Sequence, residues 1–190
     1  MFRAQRALLL VLFVPALSTA AELTVAPKDA PVVCACLQSE TFVMGGVLLS
    51  GKQAASQIFE GIGVHLHWSC DRDAILIRLA AHVPRHFRKG TLAYALPFVR
   101  KGVRITLFYD RLEPILEEHM ASAGSIFGHV LAHEIGHVLR RVDSHAETGL
   151  MGARWSERDF TSIKLHAFGF TPEDAQSIRD SVVRDFEPVE

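Results

Sequence analysis

Residues 131–139 read Leu-Ala-His-Glu-Ile-Gly-His-Val-Leu, a stretch that contains the pattern H-E-x-x-H at positions 133–137. On an α-helix, His133 and His137 are one turn apart and project from the same face, so both imidazoles can reach one ion. Zinc favours neutral nitrogen ligands of this kind and keeps an open position for water at catalytic sites. Glu134 lies beside the first histidine and suits a general base acting on that water. The stretch therefore predicts a zinc-binding helix with hydrolytic chemistry.

The chain beyond this helix holds further candidate site residues. Asp143 and His145 lie just past the expected helix end, where the chain must turn back and either residue could supply a third ligand. Residues 148–151 read Thr-Gly-Leu-Met, and this segment can place Met151 beneath the metal. A flexible, apolar methionine side chain fills an irregular floor of that kind well.

Together these residues resemble a metzincin zinc peptidase, a class whose members carry HExxHxxGxxH followed by a Met-turn, and the likeness is nearest to matrixin-like members. The strong part of the resemblance covers about 131–155. Upstream, GTLAYALPF at 90–98 resembles the edge strand on which such peptidases bind substrate, and RITLFYD at 104–110 resembles the strand after it. The segments before 90 are compatible with the class without being specific to it.

The resemblance implies an α+β fold, a small zincin- or metzincin-like domain. In such a domain a twisted mixed sheet with an edge strand lies over the active-site helix, and C-terminal helices close the structure. It further implies one catalytic Zn²⁺ and a peptide or protein substrate, so the chain is expected to be a zinc metalloendopeptidase. The residues expected to contact substrate are Leu92, Ala93, Tyr94, Ala95 and Leu96 on the edge strand and Trp155 in a side-chain pocket, although Trp155 is equally well explained as a core residue.

Two positions depart from the metzincin pattern. Arg140 occupies the place of the glycine that lets the chain leave the helix with a positive φ, so a different helix end is expected. The third ligand is expected ten residues after His133, at Asp143, whereas the histidine stands two residues later, at His145. Imidazole is the commoner third ligand in the class, so His145 is preferred and Asp143 is the alternative.

Two alternative functions need to be weighed. Glu157 follows His137 at a spacing that resembles thermolysin-like zinc peptidases, whose third ligand is a glutamate, but Glu157 is also explained as the acid of a helix capped by Ser156. A thermolysin-like site would leave Met151 and His145 without a role. The other alternative is a non-catalytic zinc-binding or protein-interaction module, and the retention of Glu134 argues against it.

The N-terminal residues resemble a secretory leader. Arg3 and Arg6 precede an apolar run of ~11 residues that is too short to span a ~30 Å hydrocarbon core. Small residues follow it, so cleavage is expected near Ala20 or Ala21. The sequence therefore predicts a signal peptide at 1–21, one domain at 22–190, and a secreted or periplasmic protein without a membrane span after cleavage.

Composition limits the partners. The 190 residues hold 20 Lys+Arg against 21 Asp+Glu, so no overall basic excess is available to neutralise phosphates, and no nucleic-acid partner is expected. The sequence leaves the oligomeric state undetermined. Export favours one disulfide from Cys70 to Cys34 or Cys36, with one thiol left over.

Periodicity and turn residues predict mixed α and β structure. The predicted helices cover 46–61, 113–120 and 122–140, with two more starting after Ser156 and Thr171, and the predicted strands cover 64–68, 74–80, 91–98 and 104–109. Pro97 argues that the third of these strands is at a sheet edge. Outside the motif, His65 and His67 share a strand face, and His129 lies one turn before His133 as a neighbour of the site or a surface residue.

Overall fold

The structure is a computed structural model that describes residues 30–99 and 101–186. The predicted signal peptide at 1–21 lies outside the described residues. Within them the fold is mixed α+β, with five strands and five α-helices: β1 Val32–Ser39, α1 Val47–Glu60, β2 His65–Trp68, β3 Ile75–Ala80, β4 Ala93–Ala95, β5 Val103–Phe108, α2 Tyr109–Glu118, α3 Ala123–Arg140, α4 Glu157–Lys164 and α5 Pro172–Phe186.

The strands form one sheet in the order β2-β1-β3-β5-β4, in which every pair is parallel except β4 with β5. The edge position predicted for the strand containing residues 93–95 is confirmed. That strand is shorter than the predicted 91–98, because Pro97 cannot donate to the ladder and Leu96 N–H makes the last bond, to Arg104 O at 2.7 Å. β1 was missed in the sequence, although Val33 and Ala35 alternate with outer-face residues as a half-buried strand requires.

Helices α1 and α3 pack against each other over one face of the sheet. The helix predicted at 122–140 is confirmed, and its Ile135 and Val138 are buried as expected. Glycine makes the close approach of the two helices possible, since a Cβ on Gly128 would lie 2.6 Å from both Ala54 Cβ and Gly51 O. α3 is therefore held tightly between α1 and the sheet.

The remaining differences concern element boundaries. α2 begins at Tyr109, four residues before the predicted start, with Pro114 inside it. Asp110 does not cap this helix. Its carboxylate accepts hydrogen bonds from the Val83 backbone N–H, both oxygens at 3.1 Å, and thereby ties the loop after β3 to the start of α2.

The cysteine pairing left open by the sequence is Cys36–Cys70, and Cys34 is free and partly exposed. The bond connects β1 to the segment that follows β2, and these two strands are neighbours in the sheet. A disulfide of this kind is typical of secreted proteins. In the described part of the chain, no helix is both long and apolar enough to cross a membrane.

Candidate metal centre

Two histidines of α3 meet in the interior. His133 is 9% exposed and His137 is 5% exposed, and their Nε2 atoms lie 3.1 Å apart. The spacing of four residues places them on consecutive turns of the same helix face, as the sequence pattern predicts. Two nitrogens bound to one zinc at ~2.0–2.1 Å would lie ~3.3 Å apart at the tetrahedral angle, so the observed separation suits a shared ion.

The other ring nitrogen of each histidine is engaged by the backbone. His133 Nδ1 lies 2.7 Å from Leu150 O, and His137 Nδ1 lies 3.0 Å from Val142 O. Because a carbonyl oxygen only accepts, each Nδ1 must donate, which leaves the Nε2 of each neutral ring as a lone-pair donor. Burial lowers the pKa of both histidines, that of His133 to about 4, so the rings stay neutral near pH 7.

His145 reaches the pair from the loop that follows α3. Its ring centroid lies 5.3 Å from that of His133 and 4.8 Å from that of His137. The ligand atoms of the three histidines all lie within 4.8 Å of one another, and Asp143 is not part of this group. The neighbouring Ala146 N–H donates to Met151 O at 2.9 Å, which pins the loop that carries His145.

The C-terminal end of α3 determines where the loop that carries His145 begins. α3 continues through Arg140, and Arg141 adopts the left-handed conformation at φ 54°, ψ 44°. The turn therefore comes one residue later than the metzincin glycine position, as the replacement by arginine suggested. Arg140 Nη1 lies 3.0 Å from Asp174 Oδ1 without the alignment of a hydrogen bond, and this largely buried ion pair ties the end of α3 to the first turn of α5.

Glu134 is buried beside the histidines. It is 7% exposed, and burial raises the pKa of its carboxyl from 4.5 to about 8. Within residues 30–99 and 101–186 no hydrogen bond or ion pair engages this carboxylate. A carboxyl group with its pKa near neutrality can both accept and return a proton, which is what a general acid–base residue must do.

Met151 is fully buried against the helix turn between the two histidines. Its Sδ would lie only 2.7 Å from a Cβ at Gly136, and the Phe170 ring would lie 3.0 Å from the same point. Met151 therefore packs against this turn, and the lack of a Cβ at Gly136 leaves room for its sulfur.

Trp155 forms a wall near His133. Its ring centroid lies 6.0 Å from that of His133, and its Nε1–H donates to Leu150 O at 3.3 Å. The same carbonyl accepts from His133, so one backbone oxygen orients both side chains. The indole is only partly buried.

The edge strand β4 presents its inner side to α3. Leu92 O accepts from Phe108 N–H at 2.9 Å and Leu96 N–H donates to Arg104 O, so Leu92, Tyr94 and Leu96 direct their backbone groups toward β5. By the alternation of antiparallel pairs, the backbone groups of Ala93 and Ala95 point to the open edge. Of the predicted residues 92–96, these two offer main-chain pairing to another strand.

Several sequence candidates lie outside the cluster. His65 is paired at 3.9 Å with Glu60, and His67 is opposite Cys34 in the sheet. Glu157 begins α4 and is not the capping-box acid. That acid is Asp159, whose carboxylate accepts from the backbone N–H of Ser156 at 2.6 Å.

Of the two interpretations of His129, a neighbour of the site or a surface residue, the structure supports the first: its ring lies 6.4 Å from that of Trp155. His129 is 3% exposed, with Nδ1 2.7 Å from Ser125 O and Nε2 3.1 Å from Phe168 O. Its spacing of four residues before His133 was the available signal that it shares the buried face of α3. It stabilises the contact between α3 and the 168–170 segment and does not join the three-histidine cluster.

No family model matches the chain, and no curated protein matches it. Solved structures do match, and one of them is the structure of myroilysin, which is 13% identical with a TM-score of 0.35. That alignment covers 75% of this chain and 70% of myroilysin. At this identity and TM-score the likeness carries no functional information, and the site is defined by its own geometry.

Proposed function

We propose that the chain is an exported zinc-dependent endopeptidase with a metzincin-like, most nearly matrixin-like, active site. The observation that carries the proposal is the pair of neutral imidazoles, His133 and His137, with Nε2 atoms 3.1 Å apart and both Nδ1 atoms committed to backbone carbonyls. Two nitrogen lone pairs at this distance repel each other unless a cation lies between them. The donor set fits zinc, which binds three protein ligands at catalytic sites.

His133, His137 and His145 would hold the ion. When bound, zinc supplies a Lewis acid that polarises a carbonyl oxygen and acidifies water. Glu134 would take a proton from the attacking water and deliver it to the leaving amine, because its carboxyl follows the first histidine of the pair and no hydrogen bond or ion pair within the described residues engages it. Met151 packs closely against the helix turn at Gly136, between the two histidines.

The substrate is an extended peptide that adds a strand to the open edge of β4. Ala93 and Ala95 supply its main-chain partners, and Trp155 forms a side-chain wall beside the histidines. In this proposal residues 1–21 direct export and 22–190 form the single catalytic domain, secreted or periplasmic, with no nucleic-acid partner and no membrane span.

A non-catalytic metal-binding module is disfavoured by Glu134. Burial makes ionisation of the Glu134 carboxyl unfavourable for folding, and a module that only binds its partner has no use for such a residue. A thermolysin-like site is disfavoured because Glu157 lies in the first turn of α4 and does not join the cluster found among the described residues.

The metal content of the purified mature chain tests the proposal, measured beside His145→Ala and Asp143→Ala. We expect one zinc per chain in the parent and in Asp143→Ala, and weakened binding in His145→Ala, because His145 alone of the two lies in the cluster. Loss of zinc through Asp143→Ala would overturn the ligand choice. A parent chain that takes up no zinc would overturn the enzyme class.

Glu134→Gln separates enzyme from binding module. The variant keeps all three imidazoles, so it should retain zinc while losing turnover of a peptide library by about 10² or more. Glu147→Gln, an exposed glutamate on the loop after α3, is the matched control. Equal turnover by Glu134→Gln and the control would refute the role of Glu134.

A further inference from the structure

The charge of the chain is strongly segregated. No Asp or Glu occurs between Asp73 and Asp110, whereas seven Lys or Arg residues fall in this interval. The rest of the chain holds 13 such cations and all 21 acids. The cationic interval contains β3, β4 and β5, and therefore includes the edge strand on which substrate is proposed to bind. The near-neutral total charge conceals this local excess.

The structure holds part of this interval directly against β4. Phe87 stacks on Tyr94 with ring centroids 5.1 Å apart and packs on Phe108 at 4.9 Å. The bonds from Val83 to Asp110 anchor the start of the same loop. The segment 85–89 is thus an ordered part of the fold that lies alongside the middle of the edge strand.

The cations of this segment are exposed and available. We call Arg85, Arg88 and Lys89, together with Lys101 at the far end of the β4–β5 connection, the basic flank. In the ranges that the structure describes, none of these four side chains lies within 4.0 Å of a carboxylate. Lys101 lines a pocket together with Asp71 and Asp73. No ion pair within the described chain engages Arg85, Arg88 or Lys89, so these three can attract charge from outside.

The face of the sheet on which segment 85–89 lies determines which side chains of a bound peptide would approach it. Ala93 and Ala95 pack toward the core and α3, so Tyr94 points to the opposite face of the sheet, where Phe87 stacks on it. Side chains of an added strand alternate between these two faces. Every second side chain of a peptide on β4 would therefore point toward α3 and the histidines, and the others toward Arg88 and Lys89.

We propose that the basic flank selects acidic peptides, with Asp or Glu at alternate positions that share the face of Tyr94. This inference rests on the proposed function, because it names the substrate class of the same site. Backbone pairing with Ala93 and Ala95 requires an extended polypeptide, which neither a nucleic acid nor a lipid surface supplies. The basic flank thus acts as a specificity determinant and not as a phosphate-binding surface.

Paired peptides test the selection. Two ten-residue substrates, one alternating Ala with Glu and the other Ala with Gln, are cleaved by the zinc-loaded chain at low ionic strength. We expect kcat/KM to be about three- to tenfold higher for the Glu peptide, since exposed charge pairs contribute modestly and two or more act together. The ratio should fall toward one in 0.5 M NaCl because salt screens exposed charges.

Charge-removing variants test whether Arg88 and Lys89 cause the preference for the Glu peptide. Arg88→Gln combined with Lys89→Gln should abolish the preference, whereas Lys164→Gln combined with Arg184→Gln removes the same charge from exposed helix positions and should leave it intact. The bonds cut in the Glu peptide should all have one parity relative to the Glu positions. Equal kcat/KM for the two peptides, or a preference that survives in the Arg88/Lys89 variant, would overturn the proposal.

Binding to the Glu134→Gln chain distinguishes this proposal from the proposed function. If no peptide is cleaved by the parent but fluorescence anisotropy shows tighter binding of the Glu peptide, lost in the Arg88/Lys89 variant, the peptidase assignment fails and the role of the basic flank in binding acidic peptides stands. If peptides are cleaved without charge preference, the surface fails and the peptidase stands. Displacement of the Glu peptide by a 20-base-pair DNA duplex at lower concentration than by unlabelled peptide would also overturn the acidic-peptide assignment.

Discussion

Glu134→Gln should stabilise the metal-free protein, and increasingly so as pH rises. Burial raises the pKa of Glu134 from 4.5 to about 8, so the folded chain holds this proton more tightly than the unfolded chain. Between these two values the ionisation of Glu134 lowers the stability of the parent by about 1.4 kcal/mol per pH unit. Glutamine has the same shape and does not ionise, so the variant is free of this loss.

The expected difference in stability between Glu134→Gln and the parent is large for a single substitution. The stability difference between variant and parent starts near zero at pH 4.5 and reaches on the order of 4 kcal/mol at pH 8 to 9. The free energy of unfolding of a protein domain is about 5–15 kcal/mol, so ionisation of Glu134 removes a sizeable fraction of that stability. The lowered pKa of His133 gives an opposite slope between about 4 and 6.5, but it is present in both chains and cancels in the difference.

Urea unfolding in the presence of a chelator, at pH 5, 7 and 9, measures the effect. The parent and Glu134→Gln should be nearly equal at pH 5 and widely separated at pH 9, while Glu147→Gln, at an exposed position, follows the parent. Saturating zinc should remove the alkaline loss from the parent, because a nearby cation favours the carboxylate. A pH-independent difference between parent and variant would refute the reasoning about burial.

Two further substitutions test the packing around the site. Gly136→Ala places a methyl group 2.7 Å from Met151 Sδ, so we expect a net loss of about 1–2 kcal/mol in unfolding free energy despite the better helix propensity of alanine, together with weaker zinc binding. Unchanged stability and zinc affinity would show that the methionine yields freely. Cys70→Ser opens a disulfide that spans 34 residues and should lower unfolding free energy by about 3–4 kcal/mol, whereas Cys34→Ser should have little effect. Both are measured by urea unfolding, and equal losses for Cys36→Ser and Cys34→Ser would contradict the pairing.

Local patterns were sufficient for the central helix. The spacing of four residues between His133 and His137 has a fixed meaning on an α-helix, and the apolar residues between them place the same helix in the core. α1, β2 and β3 were also predictable, because each is a periodic segment bounded by turn residues. β1 was missed because its alternation is imperfect: Ala35 and Cys36 are adjacent and both buried.

The positions at which the helices begin and end could be predicted from the sequence only in part. Ser156 and Thr171 begin α4 and α5 as expected, with Thr171 Oγ1 accepting from the Asp174 backbone N–H at 3.2 Å. The left-handed turn at Arg141 could not be predicted, because arginine has no preference for that conformation. The ion pair between Arg140 and Asp174 lies at the same helix end.

By itself, the sequence determined the helix with its histidines and glutamate, the candidate chemistry, and the methionine below them, because these depend on spacings within one turn or one loop. Only the tertiary structure decided that Cys36 pairs with Cys70, that His145 and not Asp143 joins the cluster, and that a basic loop lies along β4. The disulfide and the anchoring of the basic loop to Asp110 join segments far apart in sequence. The position of His145 depends on how the loop after α3 folds back onto Met151. No pattern of spacing along the chain encodes these contacts.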